Sequence, residues 1–375
     1  MPAERTRSPN PQRQAPNPER GIPPAPPPGR GTGLNPPNRF ESLHLSADPD
    51  ADADCPPEER PHPRTQFFFD ATESLLTKNA SPDVGFAYGL NAYRGCEHGC
   101  AYCFARPFHE YLGWSSGLDF ESKILVKLRA PELLRRELSS PRWQPQPIGM
   151  SGVTDCYQPA ERHFKLTRQC LEVCAEFRQP ILIITKNALV TRDLDVLRDL
   201  ARHACIRVNV SVTTLDSDLG GALEPRASRP PARLRAIREL SDAGIPVNVL
   251  VAPVIPGLTD HEVPAILDAV AAAGAQRASY VLLRLPYAVK EVFTQWLADH
   301  VPTKQGRILD RLRALRGGKL YDSTWGERLR GEGFFAQQLE QLFQVSARRA
   351  GLNREPIELS TAHFRRGGGQ QLSLF

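Results

Sequence analysis

The feature that most constrains this chain is an alternation. Short runs rich in Val, Ile and Leu at residues 147–151, 181–185, 206–212, 246–251 and 279–283 are separated by stretches with helical spacing of apolar residues. Residues 161–177 place Leu166, Cys170, Val173 and Phe177 near one helical face. Residues 192–203, 231–243 and 261–273 follow the same pattern, and Gly244 and Gly274 stand just past two of these helices, where a left-handed terminal residue is wanted. Such alternation predicts parallel strands joined by crossover helices. With a first strand leading into Cys96, about six units are expected, an α/β fold of the incomplete (β/α)6 TIM-type barrel. From about residue 288 the pattern turns helical, at 289–300, 304–315 and 328–350, which predicts helices packed on the barrel.

The ends of the chain differ from this middle. Residues 1–64 hold 17 of the 35 prolines and few large apolar residues, so this segment is expected to be disordered. Order is expected from Phe67, Phe68 and Phe69, an apolar group that would cover one end of the domain. The expected organisation is a partial barrel over 65–300, a helical extension over 301–366 and a flexible tail over 367–375, opened by Gly367, Gly368 and Gly369. There is no secretory leader and no long apolar run, and the cysteines form only one close group, so a reducing cytoplasm and no membrane are expected.

The close group is Cys96, Cys100 and Cys103, spaced C-x3-C-x2-C. Thiolates suit zinc or iron–sulfur clusters. A structural zinc normally takes four protein ligands, for which His98 would be the fourth. A four-iron cluster held by three cysteines leaves one iron without a protein ligand, free to bind a small molecule.

This spacing, with Tyr102 just before the third cysteine, resembles the radical S-adenosylmethionine (SAM) superfamily. The resemblance implies a 4Fe-4S cluster on Cys96, Cys100 and Cys103, with S-adenosyl-L-methionine bound at the unique iron and Tyr102 against the adenine. It implies one-electron cleavage of SAM to methionine and a 5′-deoxyadenosyl radical. It also implies a small reducing protein, such as flavodoxin or ferredoxin, as electron donor.

In barrels of this kind active groups sit at the C-terminal ends of the strands. The second strand ends in Ser151, Thr154 and Asp155, which either contact SAM or cap a tight turn. The third ends at Lys186, a point charge suited to the SAM carboxylate. The fourth carries Asn209 and Ser211 on one side, and Ser211 is a candidate for SAM binding. The loop from Ala252 to Gly257 would line the adenine pocket. Glu224 and Arg226 are either substrate-facing or a loop ion pair. Cys170, Cys174 and Cys205 fall at apolar positions and are expected to pack in the core.

The runs from Tyr93 to Cys100 and from Thr154 to Glu161, with Thr185-Lys186 and Ala252 to Gly257, resemble the spore photoproduct lyase-related, DNA repair photolyase-like branch. Within it they are similar to a bacterial subgroup of unknown function. Two positions depart from the true lyases. Gly152 stands where the hydrogen-donating cysteine is expected, and Phe104 stands where a tyrosine follows the third cluster cysteine. Cys156, the nearest thiol, and Tyr157 are therefore the candidate catalytic residues. The resemblance points to nucleic acid as substrate, a protein or small molecule being the alternative, with a non-catalytic cluster protein as a third possibility. Eight Lys against 39 Arg agree with phosphate recognition, although Arg-rich codon usage gives the same excess. The last five residues, Gln371, Leu372, Ser373, Leu374 and Phe375, resemble the pentapeptide that docks bacterial repair proteins on the sliding clamp. The alternative is that this tail folds back on its own barrel.

Overall fold

The computed structural model describes residues 26–41 and 64–366. Ten strands run in chain order: β1 Gln66–Phe69, β2 Leu76–Lys78, β3 Tyr88–Leu90, β4 Tyr93–Arg94, β5 Lys123–Val126, β6 Ile148–Met150, β7 Ile181–Thr185, β8 Ile206–Ser211, β9 Val247–Val254 and β10 Arg277–Leu282. Six of them, β3 and β6 to β10, form one parallel sheet in sequential order, and β2 joins its edge antiparallel to β3. Strictly sequential parallel order with helical crossovers is the topology of an open (β/α)6 barrel.

The β7 sequence Ile-Leu-Ile-Ile-Thr is apolar without alternation because both faces of the strand are covered. Leu166–Phe177 lays Cys170, Leu171, Val173, Cys174 and Phe177 into the same core, so Cys170 and Cys174 are packing residues as expected. Gly244 and Gly274 take φ of +75° and +96° just past the helices Pro230–Asp242 and Val263–Ala272. The expected helix at 161–177 is in fact two, Glu161–Phe164 and Leu166–Phe177, because Lys165 between them is left-handed at φ +54°. The last long helix is likewise divided, into Glu327–Arg330 and Gly333–Arg349, around Gly331.

A second, small sheet has the order β1-β5-β4 and sits beside the first barrel strand. Its edge strand β1 is exposed along its length, so Phe67, Phe68 and Phe69 do not close one end of the barrel as expected. Phe67 instead packs edge-on against Phe164, and Phe68 lies against Trp114.

The sheet does not close between β10 and β2, and the C-terminal segment bridges that gap. Asp83, in the loop before β3, accepts from the Gly326 amide at 2.7 Å and pairs with Arg328, which also donates to Ser81 at 2.5 Å.

Within the proline-rich segment, residues 26–41 make fixed contacts rather than lying free. Arg30, Thr32 and Asn38 are buried there. The remainder of that segment, Cys55 included, and the tail from Gly367 to Phe375 lie outside the described residues. Among the described residues no helix is long and apolar enough to cross a membrane.

Candidate active site at the barrel mouth

Cys96, Cys100 and Cys103 lie on the loop between β4 and the 3-10 helix Arg106–Leu112, at the C-terminal end of the barrel. Cys96 and Cys100 are buried and Cys103 is half-buried. The loop is pinned from four directions. Arg106, fully buried, donates from Nε and Nη2 to the Cys100 carbonyl at 3.0 and 2.8 Å and pairs with buried Glu121. Glu121 also accepts from the Gly31 amide at 2.8 Å, so residues 26–41 form a strap across the loop. Thr154 Oγ1 and Gln158 Nε2 donate to the Gly95 carbonyl at 2.7 and 3.2 Å, while Gln158 Oε1 accepts from the Glu97 amide. Arg226 pairs with buried Glu97 at 2.9 Å.

Asp155 joins three elements. It accepts from Thr185 Oγ1 at 2.7 Å and the Lys186 amide at 2.8 Å, and lies 3.4 Å from His98 Nδ1. Burial works against this carboxylate, but His98 and the donors from Thr185 and Lys186 bring its pKa down to about 2. His98 is held on its other side as well, with Nε2 3.2 Å from the Asn187 amide nitrogen. The ring also lies within hydrogen-bonding reach of the Cys96 side chain, so His98 ties the first cysteine to Asp155.

Among the described residues, no three His, Cys, Asp or Glu side chains converge on one point as the ligands of a single ion would. Three thiols on one loop are a donor set that would suit a cubane, in which each thiolate takes a different iron.

Tyr102 is buried between the second and third cysteines, and its hydroxyl bonds to Glu224. Glu224 also accepts from Thr213 at 2.7 Å and forms a buried ion pair with Arg233, whose Nη1 donates to the Ser211 carbonyl at 3.0 Å. Burial opposes the charge on Glu224, and Arg233 and Lys186 outweigh it to lower the pKa. Lys186 reaches into this group with its ammonium 5.9 Å from the Tyr102 ring centre. Burial disfavours its charge, yet the Cys100 sulfur and Glu224 hold its pKa above the ordinary lysine value. Among the described residues it has no carboxylate within salt-bridge distance. Ile255 and Leu258, from the loop after β9, pack in the same apolar cluster as Cys100 and Tyr102.

The structure therefore gathers Tyr102, Lys186, Ser211, Thr154, Asp155 and Ser151 around the cysteine loop, in different capacities. Thr154 and Asp155 are engaged in holding the loop. Ser151 takes φ +84°, and its hydroxyl accepts from the Cys156 amide at 2.9 Å. Cys156 and Tyr157 do not fit the catalytic role expected of them. The Cys156 side chain is sealed in the apolar core, and its carbonyl accepts from Thr167 at 2.6 Å in the helical layer. Tyr157 is fully buried and donates to Asp193 at 3.0 Å. Phe104 is 43% exposed, with the Arg284 guanidinium 5.0 Å from its ring centre.

Sequence reasoning passed over Arg106, Glu121, Gln158 and Arg233. The only available signal was a charged or amide residue in an otherwise apolar setting, as in Phe104-Ala105-Arg106-Pro107.

Comparison with known proteins places this geometry. Residues 90–270 match the family model of the radical SAM superfamily. An uncharacterized protein of Mycobacterium tuberculosis is 36% identical over 248 residues, 65% of this chain and 72% of that protein. A protein of Pseudomonas phage M6, named radical SAM Nalpha-GlyT isomerase, is 28% identical over 202 residues, 53% of this chain and 40% of its own length. A spore photoproduct lyase variant with bound AdoMet and dinucleoside spore photoproduct superimposes with a TM-score of 0.56 at 17% identity, over 76% of this chain and 80% of that one. The shared fold, the matched segment with its three cysteines and the mycobacterial relative together establish that the chain belongs to the radical SAM superfamily.

Proposed function

We propose that this protein binds a 4Fe-4S cluster through Cys96, Cys100 and Cys103, cleaves S-adenosylmethionine reductively, and acts on nucleic acid. The observation that carries the reading is the Lys186 ammonium, without a salt-bridge partner among the described residues, at the end of a parallel barrel strand and near Cys100 of the three-thiol loop. When bound, the cluster and SAM together supply a 5′-deoxyadenosyl radical that abstracts hydrogen. The chain's own part is positioning. Lys186 offers a cation to the SAM carboxylate. Glu224, held by Arg233, fixes Tyr102 by its hydroxyl, and Ile255 and Leu258 offer an apolar wall for the adenine. Arg106 and the strap keep the loop rigid and shielded from water.

The nucleic-acid part of the reading is supported by the arginine excess and by the fold shared with an enzyme that holds a dinucleoside. A lyase-type return of hydrogen by Cys156 is not part of it, since that thiol is sealed in the core. The test is transfer of deuterium between labelled oligonucleotide and 5′-deoxyadenosine in an anaerobic reaction with a chemical reductant. Label in the nucleoside product supports nucleic acid as substrate. Abundant 5′-deoxyadenosine with no exchange on DNA or RNA would point to a protein or small molecule instead.

A further inference from the structure

The barrel mouth carries a set of groups that neither cluster nor SAM would use. Phe104 directly follows the third cysteine, Phe108 and Tyr111 lie on the short helix after it, and the three are 43%, 50% and 66% exposed. Tyr287, from the loop after β10, is 62% exposed and has a left-handed backbone at φ +49°. Arginines run between these rings. Arg284 covers Phe104, and Arg39, from the strap, lies 3.9 Å from the Tyr287 ring centre and 5.5 Å from that of Tyr111. Phe40 lies 4.8 Å and Phe108 6.5 Å from the Tyr111 ring, which completes the group around Arg39.

Behind these rings lies an unsatisfied cationic pair. Arg316 is 2% exposed. Its Nη2 donates to the Leu283 and Arg328 carbonyls at 2.8 and 3.2 Å, while its Nε and Nη1 have no partner among the described residues. Arg284 Nε is buried without a partner too. The two guanidinium groups oppose one another's charge, with Asp322 and Tyr321 partly offsetting this at Arg316 and Asp83 near Arg284, and neither arginine forms a salt bridge among the described residues. A buried guanidinium with two idle donors is costly, and an anion with several acceptor oxygens relieves both groups at once.

We propose that the mouth binds a single-stranded polynucleotide, with a backbone phosphate between Arg284 and Arg316 and unpaired bases on the open rings of Tyr111, Tyr287 and Phe104. Aromatic rings interleaved with arginine are the chemistry that recognises unstacked bases, and a duplex hides those faces. The inference rests on the nucleic-acid reading above and specifies its form: the target base is presented outside a helix. Phosphate fits because the planar fork of arginine matches its oxygens, whereas lysine would offer only a point charge. DNA and RNA share this chemistry.

The experiment is binding of short labelled single strands of DNA and of RNA, and of the matched duplexes, to the full-length protein with its cluster loaded. Melting and 5′-deoxyadenosine formation are measured on the same samples. Single strands are expected to bind at least about ten-fold tighter than duplexes, and the better of the two single strands identifies the polymer. Tyr111→Ala and Tyr287→Ala, both surface changes, should each weaken binding about ten-fold without moving the melting curve. Arg284→Lys should weaken binding while keeping the charge, and Arg284→Ala should reduce the slope of log affinity against log salt by about 0.7. Duplex binding as tight as single-strand binding, or unchanged affinity in both tyrosine variants, overturns the inference and leaves the nucleic-acid reading standing. Failure to bind any polynucleotide overturns both, and the 5′-deoxyadenosine yield then reports separately on SAM cleavage. Displacement by inorganic polyphosphate that is insensitive to the tyrosines would reduce the site to a phosphate site and also overturn the proposal.

Discussion

Gly31 lies so close to Gly99 that a methyl group added to it would fall 1.7 Å from the Gly99 carbonyl oxygen. Gly99 stands between Cys96 and Cys100, so a residue of the proline-rich segment is packed directly on the cysteine loop. The contact is repeated further along. The Leu34 carbonyl accepts from Leu118 at 2.8 Å, and Asn38 donates to the Glu110 carbonyl at 2.8 Å. The strap is therefore a wall of the site.

Gly31→Ala must displace the strap, because the obstructing atom is backbone and cannot turn away. The expected outcome is a protein that keeps its barrel but loses its cover. After anaerobic cluster loading, the visible absorption should bleach several-fold faster in air than in the parent, with far-ultraviolet circular dichroism unchanged. Equal bleaching rates would mean that the strap does not shield the loop.

Glu224 and Arg233 are a buried pair, 1% and 2% exposed. Glu224→Gln leaves the Arg233 charge uncompensated and is expected to cost about 3–5 kcal/mol of stability. Tyr102→Phe removes only one hydroxyl from the same group and should cost about 1 kcal/mol. Urea denaturation distinguishes the two, and a smaller effect for Glu224→Gln than for Tyr102→Phe would contradict the arrangement.

His109 predicts a pH dependence. Burial among Trp114 and Phe120 pushes its pKa down to about 4, with Asp119 pulling upward and Lys123 and Arg106 reinforcing the drop. The unfolded chain takes up the proton near pH 6.5, whereas the folded one does not until about pH 4. The neutral imidazole therefore contributes its full stability above pH 6.5, and that contribution is lost as pH falls toward 4. At pH 5.5 the loss is about 1.4 kcal/mol. His109→Phe should abolish this component, so the variant's stability at pH 5.5 should approach or exceed the parent's. An identical pH profile for both proteins would contradict it.

Much of the barrel was legible in the sequence because each strand and helix declares itself locally. Gly244 and Gly274 mark helix ends by a conformation that other residues adopt at a cost. The helix expected at 289–300 is the observed Val289–His300. What was not legible depends on contacts far apart in the chain. The small sheet pairs Gln66 with Lys123, and β1 alone has no buried face to signal it. The strap is glycine- and proline-rich, a composition that suits either disorder or an extended segment held by another surface. The cysteine spacing was visible as a loop, and Lys186 as a strand-end cation. Arg106, Glu121 and Arg233 were not, because a buried ion pair is recognisable only once its partner is known. The burial of Cys156, 3% exposed, was not legible either, since its neighbours Thr154 and Asp155 are polar.

That placement predicts the behaviour of Cys156. Cys156→Ala should leave iron content and 5′-deoxyadenosine yield unchanged and cost about 1–2 kcal/mol of stability from the small cavity it creates. Loss of the nucleoside product in a fully folded, iron-loaded Cys156→Ala protein would return the thiol to the reaction.

The proposed activity rests on three cysteines that hold a cluster able to cleave SAM. Its most direct test is the amount of 5′-deoxyadenosine formed per chain when the anaerobically loaded protein is reduced in the presence of SAM, measured beside Cys100→Ala. Product is expected from the parent and none above background from Cys100→Ala, which should also lack the cluster's visible band. A parent protein with a complete cluster that forms no 5′-deoxyadenosine, or a Cys100→Ala protein that forms as much as the parent, would contradict it.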